Sequence, residues 1–133
     1  MKYFTIKELC YSDTAERYNI DNSPTSEITT NLTRLVDNIL DKAREHFGKP
    51  IHVNSGYRSS ILNAKIGGAE RSQHMKGEAA DIELGSKTIE ENRILFNWIK
   101  DNCDFDQLIW EKGGAWVHVS LKELNNRKQI LNL

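Results

Sequence analysis

Ile28, Leu32, Leu35, Val36, Ile39, Leu40 and Ala43 recur at helical spacing on one face, with Asn31, Arg34, Asp37, Asp41 and Arg44 on the other. This is the clearest helix of the chain. Ser23 suits its N-cap and Pro24 its first position, and Gly48-Lys49-Pro50 stops it. Its polar side reads as solvated surface. A second long helix follows Thr88, with Glu91 completing a capping box and Ile94, Leu95, Trp98 and Ile99 as its apolar face. Thr5 with Glu8, and Ser12, start two short helices near the N-terminus. Ser59 to Ile66 forms another, closed by Gly67-Gly68.

Period-two patterns mark the strands. Ile51 to Gly56 is a short strand, and its His52 reads as structural. In Ala79-Ala80-Asp81-Ile82-Glu83-Leu84, Asp81 and Glu83 share one face while Ile82 and Leu84 share the other. The segment before it, through Gly77, has no period and reads as a loop. Gln107 to Glu111 and Ala115 to Leu121 flank Lys112-Gly113-Gly114, and a Gly-Gly turn makes them a hairpin. In that register Lys112 faces Ala115, Glu111 faces Trp116, and Ile109 faces His118. Glu111, Trp116, His118 and Ser120 then share a face, an assignment that one residue of slippage would reverse. Lys128 to Leu131 adds a short strand.

A chain of 133 residues builds one domain, 1–133, with one core. The formal net charge of -1 carries no electrostatic footprint for nucleic acid or an anionic membrane. No apolar run is long enough to span a bilayer, so no membrane insertion is expected. The start lacks the apolar core of a signal peptide, so synthesis in the cytoplasm is the expectation. Cys10 and Cys103 read as free thiols.

The candidate chemistry lies in Ser72 to Asp81 and Trp116 to Ser120. Asp81 points inward from an otherwise apolar strand, and His118 sits between Val117 and Val119. Buried carboxylates and imidazoles are costly unless paired or metal-bound. Gly77, Ala79 and Ala80 are small enough for a loop to pack around an ion. His74, Asp81 and His118 supply three corners of a zinc tetrahedron, leaving one position open. Zinc so held lowers the pKa of water there towards neutrality. Amide hydrolysis then needs a general base and a cation near the developing oxyanion. Glu111, across the hairpin from Trp116, suits the first role, with Glu83 and Glu78 as alternatives. Arg58, after Gly56-Tyr57, suits the second and can hold a substrate carbonyl or carboxylate.

Ser55-Gly56-Tyr57-Arg58-Ser59, then Ser72-x-His74-x-x-Gly77-x-Ala79-x-Asp81, then Trp116-x-His118-x-Ser120, resembles the M15 zinc peptidases, the D-alanyl-D-alanine carboxypeptidase family. The similarity is greatest to small phage and prophage endolysin-like members, and runs from Phe4 to the hairpin. It implies an α+β fold of the hedgehog/DD-peptidase kind, a small antiparallel sheet carrying the zinc site and packed against helices. It implies one zinc on His74, Asp81 and His118, Arg58 as the substrate-binding arginine, and Ser72, Tyr57 and Trp116 as further substrate contacts. Peptidoglycan peptide is the implied substrate, and a monomer is expected. Many members carry the catalytic acid three residues before the second zinc histidine; here that position is Ala115.

Two functions therefore stand against each other. One is a zinc peptidase of carboxypeptidase or endopeptidase type, acting at the cell wall after release. The other is a non-catalytic zinc-bearing domain that binds cell-wall peptide or a partner protein, an option that Ala115 keeps open.

Overall fold

The computed structural model describes residues 1–133 throughout. Thr5 and Ser12 cap the first two helices as the sequence predicts. Their hydroxyls accept from the Glu8 and Ala15 amides at the starts of α1 (Ile6–Cys10) and α2 (Asp13–Arg17). The long amphipathic helix begins later than Ser23-Pro24. The Ser23 amide is taken by the Asp21 carboxylate at 2.9 Å, and Thr25 caps instead. The helix runs as α3 (Ser26–Leu35), a π-helical turn (Val36–Leu40), and α4 (Asp41–Phe47), closed by Gly48 in the left-handed conformation. Its polar face is more than solvated surface: Asp41 accepts from the backbone amides of Lys2 and Tyr3, and Asn31 donates to the Lys76 carbonyl.

Five strands form one sheet: β1 (Ile51–Ser55), β2 (Ala79–Leu84), β3 (Gln107–Glu111), β4 (Trp116–Ser120) and β5 (Gln129–Asn132). The order is β1-β2-β4-β3-β5. Each neighbouring pair among the first four is antiparallel, while β5 runs parallel to β3, so the sheet is mixed rather than purely antiparallel. Between β1 and β2 stand α5 (Ser60–Lys65) and a single 3-10 turn (Gln73–Lys76), the latter in a segment that lacks sequence periodicity. The hairpin pairs Glu111 with Trp116 and Ile109 with His118, as predicted. The turn holds four residues, Lys112 to Ala115, rather than two. Adding two residues keeps the alternation, so the same side chains share a face.

Ala80, Ile82, Leu84, Leu108, Trp110, Val117 and Val119 turn to the helical layer, where Leu32, Leu35, Ile39, Leu95 and Ile99 meet them. In α6 (Ile89–Asn102) the inward stripe is Asn92, Leu95 and Ile99, and Ile94 is 49% exposed. Asn92 occupies the place an apolar residue would take because its amide has three partners. It accepts from the Leu84 amide and donates to Glu83 and the Gly114 carbonyl. Cys10 and Cys103 are free, and burial pushes both thiols up to about 11. No helix is long and apolar enough to cross a membrane.

Candidate metal centre

The face of the sheet turned away from the core carries the polar groups. Asp81 and His118 are direct cross-strand partners on β2 and β4, and Ser55 of β1 flanks Asp81 on its other side. The third group comes from the 3-10 turn. Ser72 Oγ caps that turn by accepting from the His74 amide at 3.1 Å. Gly77 ends it at φ 72°, packed so closely on the long helix that a Cβ there would lie 2.9 Å from the Ile28 carbonyl oxygen. His74 is 3% exposed and Asp81 9%.

His74, Asp81 and His118 each offer a ligand atom, and these atoms lie within 4.8 Å of one another. His118 Nδ1 is 3.0 Å from Asp81 Oδ1, and His74 Nε2 is 3.4 Å from Asp81 Oδ2. Zinc bonds of about 2.0–2.2 Å at tetrahedral angles hold neighbouring donors roughly 3.4 Å apart. The donor set therefore fits one zinc ion in both chemistry and spacing. His74 Nδ1 donates to the Gly56 carbonyl at 2.7 Å, which fixes the ring with Nε2 toward Asp81. Burial alone raises the Asp81 pKa. The hydrogen bonds and charge of His118 and His74 outweigh it and hold the carboxyl well below the usual carboxylate range.

Around this centre lies a cavity of about 450 Å³ lined by Arg58, Ser72, Gln73, Glu111 and Trp116 among others. Arg58 reaches it already committed. Its Nε donates to Ser55 Oγ and its Nη1 to Asn63 Oδ1, both at 3.0 Å, and Nη2 stands 3.5 Å from Asp81 Oδ2. Ser72 lines the edge with its hydroxyl engaged in the cap. Tyr57 departs from expectation: it lines a separate groove with Val53 and Leu62 instead. Its amide is pinned to the Leu9 carbonyl at 2.8 Å, and its ring packs against the core.

The acids separate by their partners. Glu83 shares the strand face of Asp81, but its oxygens are taken by Asn92 and Asn54 at 3.1 and 3.0 Å. Glu78 faces Gln73 Nε2 at 3.4 Å. Glu111 lines the cavity half-buried, and its carboxylate has no protein partner. Two buried polar atoms, Trp116 Nε1 and Gln73 Oε1, also lack partners, and both residues line the cavity. Sequence reasoning passed over Gln73, Arg71, Gln107, Arg127 and Leu133, which also line the cavity. Gln73 sits inside the motif, so its position beside His74 was a usable signal. Arg127 and Leu133 flank the short strand read over Lys128 to Leu131, and nothing in that pattern ties them to the site.

Residues 2–120 match the family model described as Peptidase M15. The chain belongs to the Peptidase M15 family. It is also similar to the zinc D-Ala-D-Ala carboxypeptidase of Streptomyces albus G, with 54% identity over 39 residues. That similarity covers 29% of this chain and 15% of the Streptomyces protein. The M15 match ends where β4 ends, so β5 and the segment leading to it lie outside it.

Proposed function

We propose that residues 1–133 act as a zinc peptidase domain that hydrolyses peptide bonds in peptidoglycan stems or cross-links, of D-Ala-D-Ala carboxypeptidase or endopeptidase type. The observation that carries this reading is one cavity holding three metal donors beside an acid with no other partner. His74, Asp81 and His118 are the proposed zinc ligands. Bound zinc supplies Lewis acidity toward a peptide carbonyl and toward water.

The chain's own residues divide the remaining work. Glu111 takes the proton from the attacking water as the new carbon–oxygen bond forms, and returns it to the leaving amine as the carbon–nitrogen bond breaks. Arg58, fixed by Ser55 and Asn63, directs its guanidinium at the substrate oxygen. Trp116 and Gln73 form cavity wall beside the donors and are the proposed substrate contacts there. Ser72 contributes by holding the turn that carries His74.

Within the family, the three motifs favour the small phage and prophage endolysin-like branch, which would act at the wall after release. Ala115 favours the alternative, a zinc-bearing domain that binds cell-wall peptide without cutting it. Digestion of purified muropeptides, followed by mass analysis with and without a chelator, separates the two. New fragments that vanish on chelation are expected. Binding of muropeptides with no cleavage at any zinc level would establish the alternative.

A further inference from the structure

The segment after β4 lies outside the M15 match, yet two of its residues, Arg127 and Leu133, line the same cavity as Asp81 and His118. It is clamped to the free edge of β3. The Gln129 amide donates to the Asp106 carbonyl at 2.9 Å, the Leu133 amide to Trp110 at 3.0 Å, and the Lys112 amide returns to the Leu133 carbonyl at 3.0 Å. At its base Asp106, fully buried, receives the Arg127 backbone amide at 2.9 Å. The same carboxylate receives Arg127 Nε at 3.1 and 3.2 Å and Nη2 at 2.6 Å.

Only one edge of the guanidinium is used by that grip. The hydrogens of Nη1 and one of Nη2 have no protein partner, and the side chain is 51% exposed. Those two nitrogens form the end-on fork of an arginine, which matches the spacing of carboxylate oxygens. The cavity around it has an excess of cations. Arg58, Arg71 and Arg127 face Asp81 and Glu111, and Asp81 is already engaged by Arg58 and both histidines.

We propose that Arg127, held in place by Asp106, is a specificity-determining residue that reads a carboxylate on the peptide substrate. This rests on the peptidase reading above. The carboxylate is either the C-terminal one of the peptide or one on a side chain.

The test uses the zinc-loaded full chain and synthetic peptides ending in D-Ala-D-Ala. Each is made as the C-terminal acid or amide, and with a side-chain carboxylate free or amidated. Kinetics are compared for wild type, Arg127→Gln and Arg127→Lys, with zinc content and melting temperature recorded for each. Wild type is expected to favour one free carboxylate by about tenfold to a hundredfold in KM, the size of a charge-assisted contact. Arg127→Gln should abolish that preference, and Arg127→Lys, which keeps the pair with Asp106 but lacks the fork, should fall between. The arm that carries the preference identifies which carboxylate is read. A wild type that cuts acid and amide equally, or an Arg127→Gln that keeps the full preference, overturns the proposal and leaves the peptidase reading standing. A wild type that cuts neither these peptides nor muropeptides overturns both.

Discussion

Replacing Gly56 by alanine tests whether the support of His74 governs metal binding. A Cβ at Gly56 would lie 2.1 Å from the Leu9 carbonyl oxygen. Relieving that to the 3.4 Å of ordinary contact parts the end of β1 from α1 by roughly 1.3 Å. Two hydrogen bonds sit at this point: the Tyr57 amide to the same Leu9 oxygen at 2.8 Å, and His74 Nδ1 to the Gly56 carbonyl at 2.7 Å. Overpacking costs about 1–3 kcal/mol and a lost hydrogen bond about 1 kcal/mol more. For a chain of this size that lowers the melting temperature by about 6–15 °C. Losing the partner that orients a ligating imidazole lowers metal affinity by about tenfold to a hundredfold. Competition against a chelator of known affinity measures the second effect and thermal unfolding the first. Gly67→Ala, where nothing lies within 4 Å but φ is +73°, destabilises by backbone strain away from His74 and should lower the melting temperature while leaving zinc affinity intact. A Gly56→Ala variant that melts lower but binds zinc as wild type does would remove the Gly56 carbonyl from the support of His74. Wild-type melting as well would refute the steric reasoning itself.

Glu111→Gln should retain zinc and lose about a hundredfold to ten-thousandfold in turnover, measured as initial rates on a cleaved muropeptide; loss of metal instead would make Glu111 a ligand or ligand support. His74→Ala and His118→Ala should each abolish stoichiometric zinc by elemental analysis. His46→Ala and His52→Ala should not, since His46 stacks on Trp98 and His52 bonds the Gly85 carbonyl. The Arg127 hydrogen bonds hold the Asp106 carboxyl at about 2, against about 3.9 unfolded. Its contribution to stability is therefore complete above pH ~4 and lost as pH falls through ~2. The difference in unfolding free energy between wild type and Asp106→Asn should narrow across that window, and a difference constant with pH would count against the pairing.

Much of the site was legible because it depends on parity and on small residues. Asp81 and His118 become neighbours once the alternation of β2 and β4 is read. The hairpin register survived an error in turn length because the true loop is longer by an even number of residues. The first two helix caps were readable because Thr5 and Ser12 each stand three residues before the amide they cap, at the start of a short helical run. The third was not: Ser23, Thr25 and Ser26 compete, and Asp21, outside the helix, settles the choice by occupying the Ser23 amide. Ile94 was misread because Asn92 holds the buried position through long-range hydrogen bonds, which periodicity does not register. Tyr57 was placed in the wrong groove because a motif position specifies proximity along the chain, whereas its ring packs against the core. β5 was legible as a short strand, read over Lys128 to Leu131 and found at Gln129–Asn132, but its partner strand was not. Its pairing depends on Asp106 and Trp110, some twenty residues earlier in the sequence.

These differences separate the metal centre from the wall beside it. All groups that orient the three donors, Gly56, Ser72 and the Ser55–Arg58–Asn63 set, come from residues before β2 and lie inside the M15 match. The wall is built by a segment outside that match, but its anchor, Asp106, is inside it and buried. Asp106 is joined to the metal centre through the strands. Its amide donates to the Ser120 carbonyl at 2.7 Å, two residues beyond His118 on β4, while its carboxylate grips Arg127. A single aspartate thus sets the height of the guanidinium relative to the strand that bears His118. Replacing the tail while keeping Asp106 would change what the cavity accepts without moving the donors. Replacing Asp106 would loosen the wall and leave the His74, Asp81 and His118 hydrogen bonds in place.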